Sequence, residues 1–261
     1  MKIVASKYLS DFIFYFCSSN SITMVKKEQD PMGQAIYNYF HYKDETSVNV
    51  STNITLGETL PVPYLFRTFE EMPLLEKKAM NSVKGKVLDV GAGAGAHSLY
   101  LQNKGFDVAS IDVSELSCEV MKSAGLKKVS CNDIWTFEAE KFDTVLFMMN
   151  GIGLVRDLNG LEPFFEHLKK YVNNKGQVLL DSSDLKYMFE DEDGSFWMDL
   201  NSNYYGELEY QLEYKECHSA PFPWLFVDFE KLSIAATNSG WKVSLVYEDD
   251  HFHYLVRLTK A

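Results

Sequence analysis

Gly91, Gly93 and Gly95 alternate with alanines directly behind the apolar run Val87-Leu88-Asp89-Val90. Glycines at alternate positions let the backbone turn tightly and approach a ligand where any Cβ would collide. Ala96-His97-Ser98-Leu99-Tyr100-Leu101 follows with helical spacing. The glycines therefore stand at a helix N-terminus, whose N–H groups and positive dipole end favour an anionic or electron-rich ligand. Asp112 ends a second apolar run, 17 positions after Gly95. A carboxylate about 20 residues past such glycines is placed to accept hydrogen bonds from ribose hydroxyls. Asn132-Asp133 and Asn150-Gly151 end two further runs. These residue types and intervals describe recognition of a nucleotide-like ligand by close backbone approach and strand-tip polar groups.

Placing those groups on one edge requires alternating strands and helices. Lys86 to Val90 reads as the first strand, Gly105 to Asp112 as the second, Leu126 to Cys131 as the third, Phe142 to Met149 as the fourth and Gln177 to Asp181 as the fifth. Ser114 and Glu115 open a helix with an N-cap hydroxyl and a first-turn acid. Asp228 to Ser239 forms another helix, which Gly240 stops. Trp241 to Tyr247 and Phe252 to Leu258 close the chain as two strands joined by Glu248-Asp249-Asp250-His251. The result is an α/β domain whose ligand crevice lies at the carboxyl ends of its strands.

With these residues the chain resembles the class I S-adenosylmethionine-dependent methyltransferases, and more loosely their bacterial small-molecule members. The likeness runs from about Lys86 to Leu258 and rests chiefly on Leu88-Asp89-Val90-Gly91-Ala92-Gly93-Ala94-Gly95. It implies a Rossmann-like, seven-stranded, mostly parallel sheet with a C-terminal antiparallel hairpin, helices on both faces and S-adenosylmethionine as cofactor. By the same resemblance Asp89, Gly91, Ala92, Gly93 and Gly95 line the methionine end and Asp112 holds the ribose. Asp133 meets the adenine amino group, Val113 and Ile134 pack on the ring faces, and Asn150 and Gly151 close the site beside the sulfonium. N-terminal helices lid the cofactor in methyltransferases of this layout, so Arg67 is a candidate for the methionine carboxylate. The other reading of Arg67 is a solvated arginine on a helix face.

Two alternatives stay open at this point. Gly91 to Ala96 also satisfies the G-x-G-x-x-A pattern of an NAD(P)-dependent oxidoreductase. Against it, Asp89 would repel a nearby pyrophosphate but could receive an ammonium group, about 85 residues precede the first strand, and the terminal hairpin resembles the methyltransferase addition. A non-catalytic nucleoside-binding module would keep the same pocket without turnover. Asn150-Gly151-Ile152-Gly153 lacks the Asn/Asp-Pro-Pro-aromatic box of family members that methylate amide or exocyclic amine nitrogens, which argues against nucleobase or glutamine acceptors. A small-molecule acceptor is the expectation.

Composition narrows the partners. The chain has 261 residues, 46% hydrophobic and 14% aromatic, with a net charge of −12. That length and apolar content bury a large core in one domain plus an insertion. The negative charge argues against a nucleic-acid partner, and no apolar run approaches the 18 or so residues that span a bilayer. Cys17, Cys118, Cys131 and Cys217 are scattered without metal-ligand spacing, as reduced thiols in a cytoplasmic protein are. His251 and His253 alternate on an expected strand and read as edge residues rather than metal ligands.

Three segments surround the expected methyltransferase domain, 84–261. Residues 1–30 read as a disordered or upstream extension, because Phe12 to Cys17 is too short and too poorly flanked for a secretory signal and Met24 can serve as a start. Residues 31–83 read as an N-terminal helical lid: a helix from Gly33 to Tyr42, a polar link from Lys43 to Asn53, and a helix over Tyr64 to Ala79 broken at Pro73. The third is a β insertion, 184–223, in which Asp184 to Glu216 carries ten acids against Lys186 and Lys215. Its Tyr204 to Tyr214 alternation has the period of a half-buried strand. This acid excess reads either as a solvated sheet face or as a field for a cationic or amine acceptor. Asp181, Ser182, Ser183 and Asp184 stand nearest the expected point of methyl delivery, with Tyr187, Tyr204 and Tyr205 as the closest aromatic candidates. Asp184 and His97 are the candidate bases, needed only if the nucleophile arrives protonated.

Overall fold

The structure, a computed structural model, describes residues 24–138, 140–189 and 203–261. In chain order it contains α1 (Pro31–Tyr42), β1 (Val48–Thr52), β2 (Glu58–Leu60), α2 (Leu74–Ser82), β3 (Val87–Val90), α3 (Ala96–Asn103), β4 (Val108–Asp112), α4 (Glu115–Ser123), β5 (Val129–Cys131), β6 (Phe142–Phe147), α5 (Leu161–Leu168) and β7 (Val172–Ser183). There follow β8 (Glu207–Tyr214), β9 (Cys217–His218), β10 (Phe222–Leu225), α6 (Phe229–Asn238), β11 (Trp241–Glu248) and β12 (His253–Lys260).

The main sheet has the order β11-β12-β7-β6-β3-β4-β5. Its five strands from β7 to β5 pair in parallel, and β12 enters antiparallel between β7 and β11. Its strands are apolar on both faces because both faces are covered. Leu88, Val145, Phe147, Val178, Leu180 and Val256 face one core with α5 and α6 residues such as Phe164, Phe165, Leu232 and Ala236. Val87, Leu146, Leu179 and Leu255 face the other, with Leu75, Ala79 and Met80 of α2 and Leu101 of α3. The strand order reverses between β3 and β6, since the strands after β3 are added outward on one side and those after β6 on the other. That switch point opens a crevice at the carboxyl ends of β3 and β6.

The expected cap at Ser114 and stop at Gly240 are present, and Asp228, read as the first residue of its helix, is the N-cap. Ser114 accepts from Ser117 N at 3.0 Å to start α4, and Asp228 accepts from Lys231 N at 2.8 Å to start α6. Gly240, at φ +72, follows the C-cap of α6.

The lid differs from its sequence reading. Lys43 to Asn53 was expected to be a polar link, but it contains β1, which pairs antiparallel with β8 of the insertion, Asn49 opposite Glu213 and Thr52 opposite Tyr210. A second, wholly antiparallel sheet of order β10-β8-β1-β2, with β9 on β8, is therefore built from two segments about 160 residues apart. A strand this short and polar declares itself only through its partner. The expected broken helix over Tyr64 to Ala79 resolves into 3-10 turns at Val62–Phe66 and Phe69–Glu71 and then α2 after Pro73. Residues 31–83 are thus a mixed cap rather than a helical lid.

Residues 24–30 do not fit their reading as part of a disordered or upstream extension. Residues 1–23 lie outside the described residues, but residues 24–30 are placed against the domain: Val25 bridges Ser114 in parallel and Asp30 is 5% exposed. Asp30 N-caps α1 by accepting from Gly33 N at 2.8 Å, and it also accepts the Ser114 hydroxyl at 2.5 Å. One carboxylate thus joins the start of α1 to the start of α4.

Gly33 exists to let that junction close. A Cβ there would stand 2.0 Å from Asp30 Oδ2 and 2.4 Å from Ser114 Oγ. Replacing a helical glycine by alanine ordinarily stabilises by up to about 1 kcal/mol. Here Gly33→Ala is expected to lower stability by about 1–3 kcal/mol through overpacking, read as a lower thermal midpoint; an unchanged or higher midpoint would remove the junction from the account.

Candidate cofactor and acceptor site

The glycine loop leaves β3 with Gly91, Gly93 and Gly95 all in the left-handed region, at φ +68, +56 and +84. A Cβ on Gly91 would meet nothing within 4 Å, and one on Gly93 would reach only Ile36 Cδ1 of α1 at 4.0 Å. The loop therefore lies open above Gly91 and is roofed by Ile36, which packs with Ala94 and Val120 and with Leu65 and Phe66 behind them. Its N–H groups are largely spent inside the protein: Gly91 N and Ala92 N donate to Ile111 O at 2.9 and 3.1 Å, Gly95 N to Ala92 O at 2.8 Å, and Gly93 N to Asp112 Oδ2 at 2.8 Å. A pyrophosphate would need those donors.

Asp112 is half-buried at the tip of β4. Its second oxygen accepts from Ser114 N at 2.9 Å. Burial pushes its pKa up to about 6 despite the two N–H bonds, with the Asp30 and Asp89 carboxylates adding to the rise. Asp89 lies beneath the glycine loop, 2% exposed, and accepts the Ser98 hydroxyl at 2.6 Å, which in turn meets Ser110 at 2.7 Å. Burial raises the Asp89 carboxyl, opposed by His97 and Ser98. A buried carboxylate with one hydroxyl partner gains most from a cation, and an ammonium is the cation this position suits.

Asp133 follows β5 and shows the clearest sign of a missing partner. Its Oδ1 accepts from Trp135 N at 3.0 Å, while its Oδ2 is buried and has no hydrogen-bond partner among the described residues. Buried acceptors are rarely left so. An adenine amino group supplies the required donor. The surrounding turn is stiff, because Ile134 O accepts from His167 Nε2 at 3.0 Å and from Tyr171 OH at 2.5 Å. Ile134 is 3% exposed and Val113 half-buried, so both can offer apolar contact to a ring. The residues present fit an adenosyl group carrying an amino acid.

Other expected site residues are engaged differently. Arg67 is 5% exposed, so it is no solvated helix residue. Its Nε and Nη2 donate to Glu76 at 3.1 and 2.6 Å, its Nη1 to Tyr64 O at 2.5 Å, and its guanidinium lies 4.1 Å from the centre of the Tyr64 ring. His97 Nε2 meets the same Glu76 carboxylate at 2.8 Å. Burial alone would raise Glu76, but the His97 and Arg67 contacts outweigh it and hold its carboxyl below the usual value. Asn150 sits at φ +57 directly after Met149 at φ +60. Its amide turns into the protein, donating to Leu225 O at 3.1 Å and accepting from Ser182 Oγ at 2.7 Å. Gly151 follows under Phe147, whose Cβ is 3.2 Å from where a Gly151 Cβ would stand. Asp184 Oδ1 accepts the Tyr205 hydroxyl at 2.6 Å and Lys186 N at 2.8 Å. Both expected bases are thus held by hydrogen bonds that fix their neighbours.

Sequence reading did not single out Glu76, Asp30 or Ser98. Glu76 has no motif around it, and only the fold brings it to Arg67 and His97. Asp181, noted as near the delivery point, proves to be half-buried, with Oδ1 accepting from Asn150 N at 3.0 Å. Burial pushes its carboxyl up to about 7 against that bond, Glu76 adding to the rise and His97 opposing it.

The chain is similar to known proteins. A family model described as a methyltransferase domain matches residues 64–219. Among solved structures, an S-adenosylmethionine-dependent methyltransferase from Bacteroides fragilis in complex with S-adenosyl-L-homocysteine is 41% identical, with a TM-score of 0.86 over 92% of this chain and 98% of that one. The CcbJ methyltransferase from Streptomyces caelestis shares the fold at 12% identity, with a TM-score of 0.54 over 74% of this chain and 94% of that one. No curated protein matches the chain. The chain belongs to the methyltransferase-domain family and is an S-adenosylmethionine-dependent methyltransferase.

Proposed function

We propose that the strand-tip residues hold S-adenosylmethionine in one orientation and that the chain transfers its methyl group to a small-molecule acceptor at the carboxyl edge of the main sheet. The unpartnered Oδ2 of Asp133 carries the reading, because an adenine amino group is the donor that this buried oxygen lacks. Asp89 takes the ammonium group, Asp112 the ribose hydroxyls, and the open side of Gly91 admits the ligand backbone. Val113 and Ile134 cover the adenine faces. Arg67, spent on Glu76, positions His97 and the Tyr64 ring rather than clamping a carboxylate. When bound, the cofactor supplies an activated methyl group on a sulfonium. The chain's own share is positioning and the exclusion of water. A net charge of −12 supports a small-molecule acceptor over a polyanion.

Calorimetry tests the reading. S-adenosylhomocysteine is expected to bind with micromolar affinity, about −8 kcal/mol, while saturable binding of NAD in its place would refute it. The Asp133 assignment has a sharper test. Replacing the adenine amino group by a carbonyl, as in S-inosylhomocysteine, should weaken binding to the parent protein by about 1.5–3 kcal/mol, the range for hydrogen bonds to charged groups. In Asp133→Ala the two ligands should bind nearly alike; a discrimination that survives the substitution would move the adenine elsewhere.

The acidity of Asp112 sets a pH dependence. Its carboxyl titrates near 6 in the free protein, so the ionised acceptor that ribose needs is present above that pH and is lost as pH falls through it. S-adenosylhomocysteine affinity should therefore decline below pH about 6 and level off above it. Asp112→Asn should bind more weakly throughout, with most of this decline removed; a profile that stays the same in the variant would assign the titration to another group.

A further inference from the structure

The carboxylates around the crevice differ in what occupies them. Asp112 holds two backbone N–H groups, Glu76 holds Arg67 and His97, Asp184 holds Tyr205 and Lys186 N, and Asp228 holds Tyr204 and Lys231. Asp89, Asp133 and Asp181 each receive a single side-chain-bound donor among the described residues, from Ser98 Oγ, Trp135 N and Asn150 N, and with the first two given to the cofactor above Asp181 is the one left over. Apart from its own backbone, it receives one donor among the described residues, Asn150 N at 3.0 Å. It ends the run of β7 residues that face α2: Leu179, two positions earlier, belongs to that core, and Asp181 itself pairs with Leu255. It therefore stands on the same sheet face as Asp89, which follows Val87 in the same way, one strand pair across the switch point. Tyr64, Glu76, His97 and, from β12, Tyr254 are the charged or titratable side chains whose fields it shares.

Apolar groups are exposed along the same edge. Tyr64, Met149, Tyr187, Met188 and Phe252 are 38–49% exposed. Tyr187 and Phe252 stack at 6.1 Å with their planes 11° apart, and Phe252 O accepts from Asp184 N at 3.1 Å, which ties both rings to the end of β7. Met149, two residues past the end of the neighbouring strand β6, is in a left-handed conformation and exposed. Exposed apolar groups gathered beside polar ones mark a binding surface.

Resting on the methyl-transfer reading above, we propose that Asp181 receives the methyl acceptor and that the acceptor is a primary or secondary amine carried on an apolar body. An amine arrives as an ammonium ion, which has no lone pair to attack with. Asp181 accepts one proton from it, freeing the pair on nitrogen. That pair forms the new N–C bond to the methyl carbon as the C–S bond breaks, and sulfur keeps the electrons of the broken bond and becomes a neutral thioether. The product leaves as the methylated ammonium, and the proton held by Asp181 passes to water. Charge and atoms balance without a further reactant. Burial that brings the Asp181 carboxyl to about 7 suits a group that takes and returns a proton near neutrality. An alcohol proton is too weakly acidic for such a group to remove, which is why the proposal names nitrogen rather than oxygen. The apolar body of the acceptor rests on the Tyr187 and Phe252 rings.

The test is equilibrium binding to the S-adenosylhomocysteine-loaded protein, using 2-phenylethylamine and N-methyl-2-phenylethylamine beside 2-phenylethanol. The amines should bind at least about tenfold tighter than the alcohol. Asp181→Asn keeps an oxygen for Asn150 N, so it should hold S-adenosylhomocysteine within about threefold of the parent and lose the amine preference. Under methyl donor, the parent should convert the primary amine to its N-methyl product and the variant should not. Equal binding of amine and alcohol, or a preference that survives in Asp181→Asn, overturns the proposal while leaving the cofactor reading intact. Failure of the parent protein to bind S-adenosylhomocysteine overturns that reading and this one with it.

Discussion

The rest of the site depends on the Asp112 carboxylate. One oxygen takes Gly93 N and the other takes Ser114 N, so a single side chain fixes both the glycine loop after β3 and the entry to α4. Ser114 passes the constraint onward, because its hydroxyl donates to Asp30 while its oxygen caps α4. The glycine loop, the tip of β4, α4 and the roof formed by α1 are in this way registered on one another. The arrangement has a thermodynamic cost. Asp112 and Asp181 both titrate far above an ordinary aspartate, and a carboxyl raised on folding makes the native state less stable as pH rises through the shifted value. A protein selected for stability alone would not keep two such groups at the strand tips. Their presence is understandable where a ligand's hydroxyls or cation offset the loss.

The cap over this site is a cooperative structure rather than an added lid. β1 and β2 come from the N-terminal segment, β8 and β10 from the insertion, and neither pair of strands makes the sheet alone. A two-stranded hairpin is marginal in water. Four strands packed on Ala35, Val48, Val62 and Tyr214 are not. The insertion is also packed tightly on itself and on the segment after β6: Gly206 lies so close to Phe226 O that a Cβ would stand 1.9 Å from it, and Gly153 packs directly under the Trp224 indole.

How much of this was legible in the sequence follows from how local each signal is. The glycine loop, the cap at Ser114 and the stop at Gly240 are set by a few adjacent residues, and each stands where the sequence put it. The terminal hairpin was readable from its two apolar runs, since β12 is buried on both faces. The strand Val48–Thr52 was not, because Val-Asn-Val-Ser-Thr looks like a polar link until Glu213 to Tyr210 of β8 lies beside it. Non-local pairing leaves no trace in one strand's composition. The same holds for Glu76. Its meeting with Arg67 and His97 depends on a 3-10 turn, a proline and the placement of α2 on the sheet, none of which a motif reports.

The Arg67–Glu76–His97 cluster shows what such non-local contacts contribute. Buried ion pairs add little to stability against apolar groups of the same volume, yet removing one partner costs about 3–5 kcal/mol because the other charge is stranded. Arg67 and Glu76 side chains are 3% and 6% exposed, so they fall in that class. The cluster therefore acts as a specificity device. Arg67 closes the turn at Tyr64 O and stacks on the Tyr64 ring, Glu76 belongs to α2, and His97 lies in the first turn of α3 directly after the glycine loop. Three elements that no hydrophobic contact would align to within a hydrogen bond are brought to one carboxylate. An apolar cluster would hold them together as firmly but would tolerate sliding, and sliding here would carry the Tyr64 ring away from Asp181 and shift the helix that begins at the glycine loop.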